Sequence, residues 1–188
     1  MNIPNFITMI RILLVPLLVI FLIEDKNLYA FLTFVAAGVS DGLDGFLARV
    51  LKQKTALGAF VDPIADKLLL TASYITMAIL KLLPEWLAVL VVSRDFIILL
   101  GIGILMVNNR QFSIKPTIDS KMTTFIQLAT ICYFLAHDYL IRIVGIDFST
   151  SLVYSTAFLT LLSGGHYIVI GFRILGRPDE EAEKASRE

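Results

Sequence analysis

The sequence contains little charge and almost no cysteine, and each shortage excludes a class of protein. Only 17% of its 188 residues are charged, against about 25% in soluble globular domains, and 57% are hydrophobic. A soluble domain of this composition would expose too much apolar surface, so we expect a membrane protein. The single cysteine excludes an intrachain disulfide and a cysteine-built metal site. Sixteen basic and sixteen acidic residues cancel, so we expect no nucleic-acid partner.

Uninterrupted apolar runs of membrane-spanning length are also scarce. A spanning helix has roughly 20 predominantly apolar residues, and only the charge-free run 148–172 is that long. The other segments reach this length only when they include charged residues. We therefore predict an all-α, polytopic membrane protein with a short N-terminal interfacial segment and six transmembrane helices, at about 6–24, 28–51, 60–81, 85–108, 118–138 and 149–173.

The basic residues predict how these helices are oriented. Eleven of the sixteen fall on one side of the predicted layout and three on the other, while Lys67 and Arg94 remain inside spans. The positive-inside rule then places both termini in the cytoplasm. The membrane domain covers residues 1–175. The polar stretch 137–147 is interpreted as a connection between the last two helices, and residues 176–188 as a disordered tail.

Four aspartates interrupt the second and third predicted helices. Asp41 and Asp44 are three residues apart, and Asp62 and Asp66 are four apart, so each pair lies on one helix face. Asp44 and Asp62 are each eight residues from the basic turn at 52–54, or about 12 Å along the helix. An antiparallel hairpin would therefore bring the four carboxylates to one level.

A cluster of four carboxylates requires compensation inside a membrane. Either some of them are protonated or cations bind among them, because a single charge near the bilayer centre costs at least ~2.5 kcal/mol on insertion scales. Hard divalent ions such as Mg²⁺ prefer oxygen ligands and substrate phosphates. Four aspartates could hold two such ions, an arrangement that stabilises displacement at phosphorus.

Small residues alternate with these carboxylates, and they have two interpretations. Gly45, Ala48 and Gly58 leave room for a nucleotide, but small residues also serve close packing between membrane helices. Arg49 could extend to the membrane interface as a snorkelling side chain.

The complete pattern resembles the signature of the CDP-alcohol phosphatidyltransferase family, and all eight fixed positions are present within 26 residues. The pattern reads Asp41-Gly-Leu-Asp44-Gly45-Phe-Leu-Ala48-Arg49, eight further residues, and Gly58-Ala-Phe-Val-Asp62-Pro-Ile-Ala-Asp66. The opening Ile3-Pro4-Asn5, with Thr8 and Arg11, and the six-helix layout extend the resemblance over nearly the whole chain.

The resemblance implies an activity, cofactors and site residues. Members of the family transfer a substituted phosphate from a CDP-linked donor to an alcohol and release CMP, using two divalent ions, Mg²⁺ or Mn²⁺, at the cytoplasmic face. It also implies a homodimer, in the inner membrane if the source is bacterial. Asp66 would be the general base. The metal ligands would be Asp41, Asp44, Asp62 and Asp66, and the CDP-diacylglycerol pocket would include Asn5, Thr8, Asp41, Gly45, Ala48, Arg49 and Gly58.

The acceptor alcohol is inferred from a finer resemblance. Phosphatidylglycerophosphate synthases, which use glycerol 3-phosphate, carry a second Arg eight positions after the residue equivalent to Arg94, where this sequence has Ile102. They also carry a second Lys in the fifth helix, which is absent from Ser120-Lys121-Met122-Thr123-Thr124. The longer stretch Lys115-Pro116-Thr117…Ser120-Lys121…Thr124…Gln127-Leu128 instead resembles the cardiolipin synthases of the family, which use phosphatidylglycerol. We therefore favour phosphatidylglycerol as acceptor, contacted by Arg94 and Lys121, and keep glycerol 3-phosphate as the alternative.

A function of another class fits some of the same residues. Intramembrane charges such as Asp66, Lys67 and Asp95 also mark ion or proton transporters. The carboxylates gather at one depth instead of crossing the bilayer, which favours the enzyme. Arg94 itself could be structural, paired with the adjacent Asp95, or could contact substrate.

Overall fold

The computed structural model describes the backbone of residues 3–50, 56–107 and 118–175, and the side chains of residues 9–40, 65, 67–101, 119–143 and 145–171. Every regular element in these ranges is an α-helix, which confirms the expected all-α class for the described part of the chain. The seven helices are α1 (Ile3–Ile23), α2 (Asn27–Val50), α3 (Ala56–Ile79), α4 (Glu85–Val107), α5 (Ile118–Leu135), α6 (His137–Val144) and α7 (Ser149–Leu175). The predicted tail at 176–188 lies outside the described residues.

Helix α6 (His137–Val144) extends well beyond the predicted fifth helix at 118–138, so the interpretation of 137–147 as a simple connection is wrong. Ala136 separates α5 from α6 with φ −99° and ψ 6°, and the chain then resumes helical hydrogen bonding. Gly145 ends α6 in the left-handed region at φ 71°, where its N–H donates to the carbonyl of Ile141. Two helical turns are too short to stand out in a search for membrane-length segments.

The predicted N-terminal interfacial segment also needs correction. Helix α1 begins at Ile3, so the described residues of that segment continue directly into the first long helix. Pro4 is compatible with this start because the first backbone N–H groups of a helix have no partner within the helix. The expected separate lead-in is therefore not a separate element among residues 3–6.

One described helix is long and apolar enough to cross a membrane by itself, α7 over Ser149–Gly171. Helices α5 and α6 meet the same criterion only as a pair, and they are bent by 78° where they join. The apolar stretches of the described parts of α1, α2 and α3 are shorter. About a third of the α7 stretch is buried in the bundle, and Tyr154, Phe158 and Leu161 form an exposed apolar stripe along it.

The helices pack around an apolar core, with consecutive long helices running in opposite directions. Helix α1 packs against both α2 and α3, α3 packs against α4, and α7 packs against α4 and α5. Short turns at 24–26 and 80–84 reverse the chain, with Asp25 and Lys81 in the left-handed region at φ 56° and 59°. The core side chains near these turns include Leu18, Leu22, Phe34, Met77, Leu83 and Leu87.

This connectivity gives the bundle two distinct ends. The signature end contains the start of α1, the end of α2 and the start of α3, and with them the predicted site positions from 41 to 66. The opposite end, which we call the turn end, contains the turns at 24–26 and 80–84 together with α6. The predicted site and α6 are therefore separated by the length of the bundle.

Helices α5 and α7 are joined by a seam of buried polar side chains. Thr130 and Thr156 share a hydrogen bond of 2.7 Å, and the Gln127 amide donates to Thr160 at 3.1 Å. The Thr123 hydroxyl lies 3.0 Å from the carbonyl of Leu159. Hydrogen bonds between helices replace the hydrophobic driving force that is missing where apolar lipid is the solvent. The seam therefore fixes the register of α5 against α7.

At the turn end, a carboxylate holds the start of α7. Asp147 accepts hydrogen bonds from the backbone N–H of Ser149 at 2.8 Å and from the Tyr133 hydroxyl at 2.9 Å. Hydrogen bonds from Ser149, through its hydroxyl and its backbone N–H, and then from Tyr133 lower the pKa of Asp147 to about 2. The ionised carboxylate thus satisfies an open N–H group of α7 and ties that helix to the end of α5.

Candidate active site

The four predicted metal-ligand positions lie on two helices at the signature end. Asp41 and Asp44 belong to α2, and Asp62 and Asp66 belong to α3. Because the backbone is helical at all four positions, each pair is about one turn apart, as the spacing predicts. Their side chains lie outside the described residues. No cluster of three or more potential metal-binding side chains occurs among the residues whose side chains are described.

The donor set itself fits divalent cations. Carboxylate oxygens are the ligands that Mg²⁺ and Mn²⁺ take in proteins, and four of them suffice for two ions that also bind phosphate oxygens. Asp66 is one of these four donors, and its predicted role as base remains a prediction.

The predicted CDP-binding positions share this end of the bundle. Asn5 and Thr8 lie in the first two turns of α1, Gly45, Ala48 and Arg49 lie near the end of α2, and Gly58 lies in the first turn of α3. The topology thus gathers them at one end, but their side chains lie outside the described residues.

Arg11 adds a buried cation at the signature end. It lies on α1 three residues after Thr8, and its side chain is completely buried. A guanidinium cannot be buried without interactions that compensate its charge, and Arg11 does take part in polar or electrostatic interactions. From sequence, Arg11 contributes only to the predicted topology and to the resemblance, although its isolated position in an apolar helix is a signal for a larger role.

A charge cluster in the middle of the bundle centres on Asp95. Its Oδ1 atom lies 2.5 Å from the Lys67 ammonium of α3 and 2.8 Å from Arg94 Nη1 of its own helix, α4. Asp95 and Arg94 are both about 4% exposed. Two cations therefore share one buried carboxylate oxygen, and the residue next to Asp66 in sequence is held by this bridge.

Arg94 extends the cluster to two further helices. Its Nη2 atom donates to the hydroxyls of Ser120 on α5 at 2.9 Å and Ser163 on α7 at 2.7 Å. The guanidinium carbon lies 5.9 Å from the centre of the Tyr167 ring. The Nε atom is buried and has no hydrogen-bond partner among the described residues. Arg94 therefore has a clear structural role, and two of its five N–H groups, on Nε and Nη1, are left for another group.

The second predicted acceptor contact, Lys121, is placed differently. Its side chain is exposed at the start of α5, whereas Arg94 is buried, although Ser120 connects the two positions through the chain. Beside them, Asp119 on α5 lies 2.8 Å from Nδ1 of His166 on α7. The sequence pattern assigns neither Asp119 nor His166 to a site, because their separation of 47 residues hides the pairing.

Comparison with known proteins identifies the family. A family model described as CDP-alcohol phosphatidyltransferase matches residues 1–162. The chain belongs to the CDP-alcohol phosphatidyltransferase family. The match includes the signature at 41–66 and the Arg94–Asp95 cluster, so the protein is a transferase of that family, as the resemblance implied. The transporter hypothesis has no support from this membership.

Named relatives fall into two groups. The chain is 28% identical to the CDP-diacylglycerol–glycerol-3-phosphate 3-phosphatidyltransferase of Bacillus subtilis over 181 residues, which cover 88% of this chain and 93% of that protein. Its identity to the protein of the same name from Aquifex aeolicus is 30% over 178 residues, covering 93% and 98%. To the cardiolipin synthase (CMP-forming) of Homo sapiens it is 33% over 151 residues, covering 72% of this chain and 50% of that protein.

We predict that removing the charge of Asp95 destabilises this phosphatidyltransferase. Asp95→Asn keeps the shape of the side chain but removes the anion that Lys67 and Arg94 share, and breaking a buried ion pair costs roughly 3–5 kcal/mol. The thermal unfolding midpoint in detergent micelles should therefore fall clearly. Asp138→Asn, at an exposed aspartate on α6, is the matched control. Equal midpoints for the two variants would contradict a structural role for the bridge.

Proposed function

We propose that the protein transfers the phosphatidyl group of CDP-diacylglycerol to a glycerol-type acceptor with release of CMP, and that the favoured acceptor is phosphatidylglycerol, giving cardiolipin. The proposal is supported by family membership and by the complete signature between Asp41 and Asp66. Relatives of both named activities are consistent with a CDP-diacylglycerol donor.

The choice of acceptor rests on one observation, which is the set of hydrogen bonds that the Arg94 guanidinium already makes. Its two Nη atoms donate to Asp95, Ser120 and Ser163, which uses three of the five guanidinium N–H groups and leaves the Nε–H and one Nη1–H without a partner in the described part of the chain. Because the Arg94 charge is already paired with Asp95, these remaining N–H groups suit the single negative charge of a phosphodiester better than a phosphate dianion, which takes multiple cationic contacts. Lys121 is the second acceptor contact, at the exposed start of α5.

The four carboxylates have different roles in the proposed chemical step. Asp66 accepts the proton of the acceptor hydroxyl as its oxygen forms a bond to the phosphorus that carries diacylglycerol, and the pyrophosphate bond breaks so that CMP leaves with the bonding electrons. Asp41, Asp44, Asp62 and Asp66 hold two divalent ions, Mg²⁺ or Mn²⁺. Bound there, these ions supply charge neutralisation for the pyrophosphate and the departing CMP. The CDP moiety contacts Asn5, Thr8, Asp41, Gly45, Ala48, Arg49 and Gly58.

The membrane arrangement follows from the same assignments. Six helices, α1 to α5 and α7, cross the bilayer, the signature end faces the cytoplasm together with both termini, and two copies form a homodimer. The apolar helix Ser149–Gly171 and the excess of basic residues near the signature end support this arrangement. If the source is bacterial, the membrane is the inner one.

Glycerol 3-phosphate is the second candidate acceptor, because relatives from Bacillus subtilis and Aquifex aeolicus that match over most of their length carry that acceptor in their names.

An assay with two labelled acceptors distinguishes the candidates. Purified protein in mixed micelles with CDP-diacylglycerol and Mg²⁺ should convert phosphatidylglycerol to cardiolipin and leave glycerol 3-phosphate largely unused, because the acceptor contacts match a phosphodiester. The measurement is product formation by thin-layer chromatography together with CMP release. Turnover of glycerol 3-phosphate alone would refute the favoured acceptor while leaving the donor half of the proposal intact.

Replacement of the proposed base tests the chemistry directly. Asp66→Asn removes both a metal ligand and the proton acceptor, and loss of general-base catalysis alone lowers rates roughly 10²–10⁴-fold. CMP release should therefore become undetectable. The control is Asp25→Asn in the α1–α2 turn, where Asn also tolerates the left-handed backbone at φ 56°. A fully active Asp66→Asn enzyme would overturn the assignment.

A further inference from the structure

Helix α6 leaves the bundle direction at the turn end. It follows α5 after one residue and is bent by 78° relative to it. Helix α5 has 18 residues, or about 27 Å at 1.5 Å per residue, slightly less than the ~30 Å thickness of a bilayer core. If α5 crosses the membrane, as proposed above, its end reaches the membrane surface and α6 runs almost parallel to that surface.

The exposed side chains of α6 divide into two faces. Asp138 and Arg142 are one turn apart and make a polar face. Tyr139 and Ile143 are also one turn apart, and both are exposed, Ile143 to 81%. An exposed aliphatic side chain beside a charged face is typical of a helix that lies in the membrane–water interface.

The polar face lines a cleft that also receives charges from a neighbouring turn. Asp138, Tyr139 and Arg142 line it from α6, and Asp25 and Lys26 line it from the turn between α1 and α2, around a volume of about 360 Å³. Charges of both signs favour contact with water, so this side of α6 faces water. The apolar flank of α6, which carries Ile143, faces a different environment.

Exposed aromatic side chains mark the same level on other helices. Trp86 lies at the start of α4, and its ring centre is 6.3 Å from that of Tyr154 on α7; both side chains are exposed. Phe148, just before α7, and Tyr29, near the start of α2, are exposed too. Aromatic side chains are enriched where a membrane protein passes the lipid headgroups. These four aromatic side chains form an aromatic belt at the turn end. Tyr154 belongs both to this belt and to the apolar stripe of α7.

We propose that α6 is an interfacial helix that rests on the lipid surface at the turn end, opposite the signature end. Ile143 inserts at the boundary between headgroups and acyl chains, Tyr139 lies at the edge of the cleft, and Asp138 and Arg142 face water. The helix thereby fixes the depth at which α5 ends in the bilayer. The occupant of the apolar flank is lipid, and not a second protein.

Site-specific fluorescence quenching tests this placement in the full-length protein. In a Cys132→Ser background, which removes the single native cysteine, Ile143→Cys and Asp138→Cys are labelled with an environment-sensitive fluorophore and reconstituted in phosphatidylcholine vesicles. Lipid brominated near the headgroup should quench the label at position 143 more strongly than the label at 138. Aqueous iodide should do the opposite.

Two outcomes would overturn the proposal. Equal quenching of both labels by iodide, with none by brominated lipid, would place the whole helix in water. Shielding of the label at 143 from both quenchers would show that protein covers this face. Tyr139→Cys, at the edge of the cleft, should give quenching intermediate between positions 138 and 143. CMP release by each labelled variant shows that the measurement is made on folded protein.

Discussion

The Asp95 carboxylate holds the centre of this molecule together. One oxygen accepts both Lys67 of α3 and Arg94 of α4, and Arg94 continues to Ser120 of α5 and Ser163 of α7. Four helices therefore meet at one buried ionic group. Charges in a membrane interior are stable only when they are paired and hydrogen-bonded, so this cluster dictates how the four helices must be arranged. The positions of the α5–α7 seam and of the signature end follow from this arrangement of the four helices.

The cluster connects the part of α3 that carries the proposed base with the polar seam between α5 and α7. On one side, Lys67 directly follows Asp66, the proposed base, so the bridge to Asp95 restrains the helix turn that carries the carboxylate. On the other side, the α5–α7 seam, with Thr130 against Thr156 and Gln127 against Thr160, runs from the cluster toward the turn end. The proposed reaction with phosphatidylglycerol requires that a donor and an acceptor in the lipid be aligned, and rigid positioning of catalytic groups is a main source of rate acceleration.

Much of the fold could be predicted from the sequence, because membrane helices leave a strong compositional signal. Six of the helices lie near their predicted positions, and the spacing of the residues from Asp41 to Asp66 is sufficient to indicate the family. Helix α6 could not be predicted, since its two turns are too short for that signal. The contacts of Arg94 with Ser120 and Ser163 join residues 26 and 69 positions apart. Serines in helices give no sequence clue to such partners, and only the packing of α4 against α7 brings them together.

In the proposed reaction, Arg94 combines a structural task with recognition of the acceptor through its remaining N–H groups. Steady-state kinetics of Arg94→Lys test it most directly, because Lys keeps the charge but loses the planar set of donors. Loss of a hydrogen bond to a charged group, about 1.5–3 kcal/mol, predicts a rise of the KM for phosphatidylglycerol of roughly ten- to a hundredfold, with the KM for CDP-diacylglycerol nearly unchanged. An unchanged KM for the acceptor, accompanied only by a lower unfolding temperature, would contradict the account and leave Arg94 a purely structural residue.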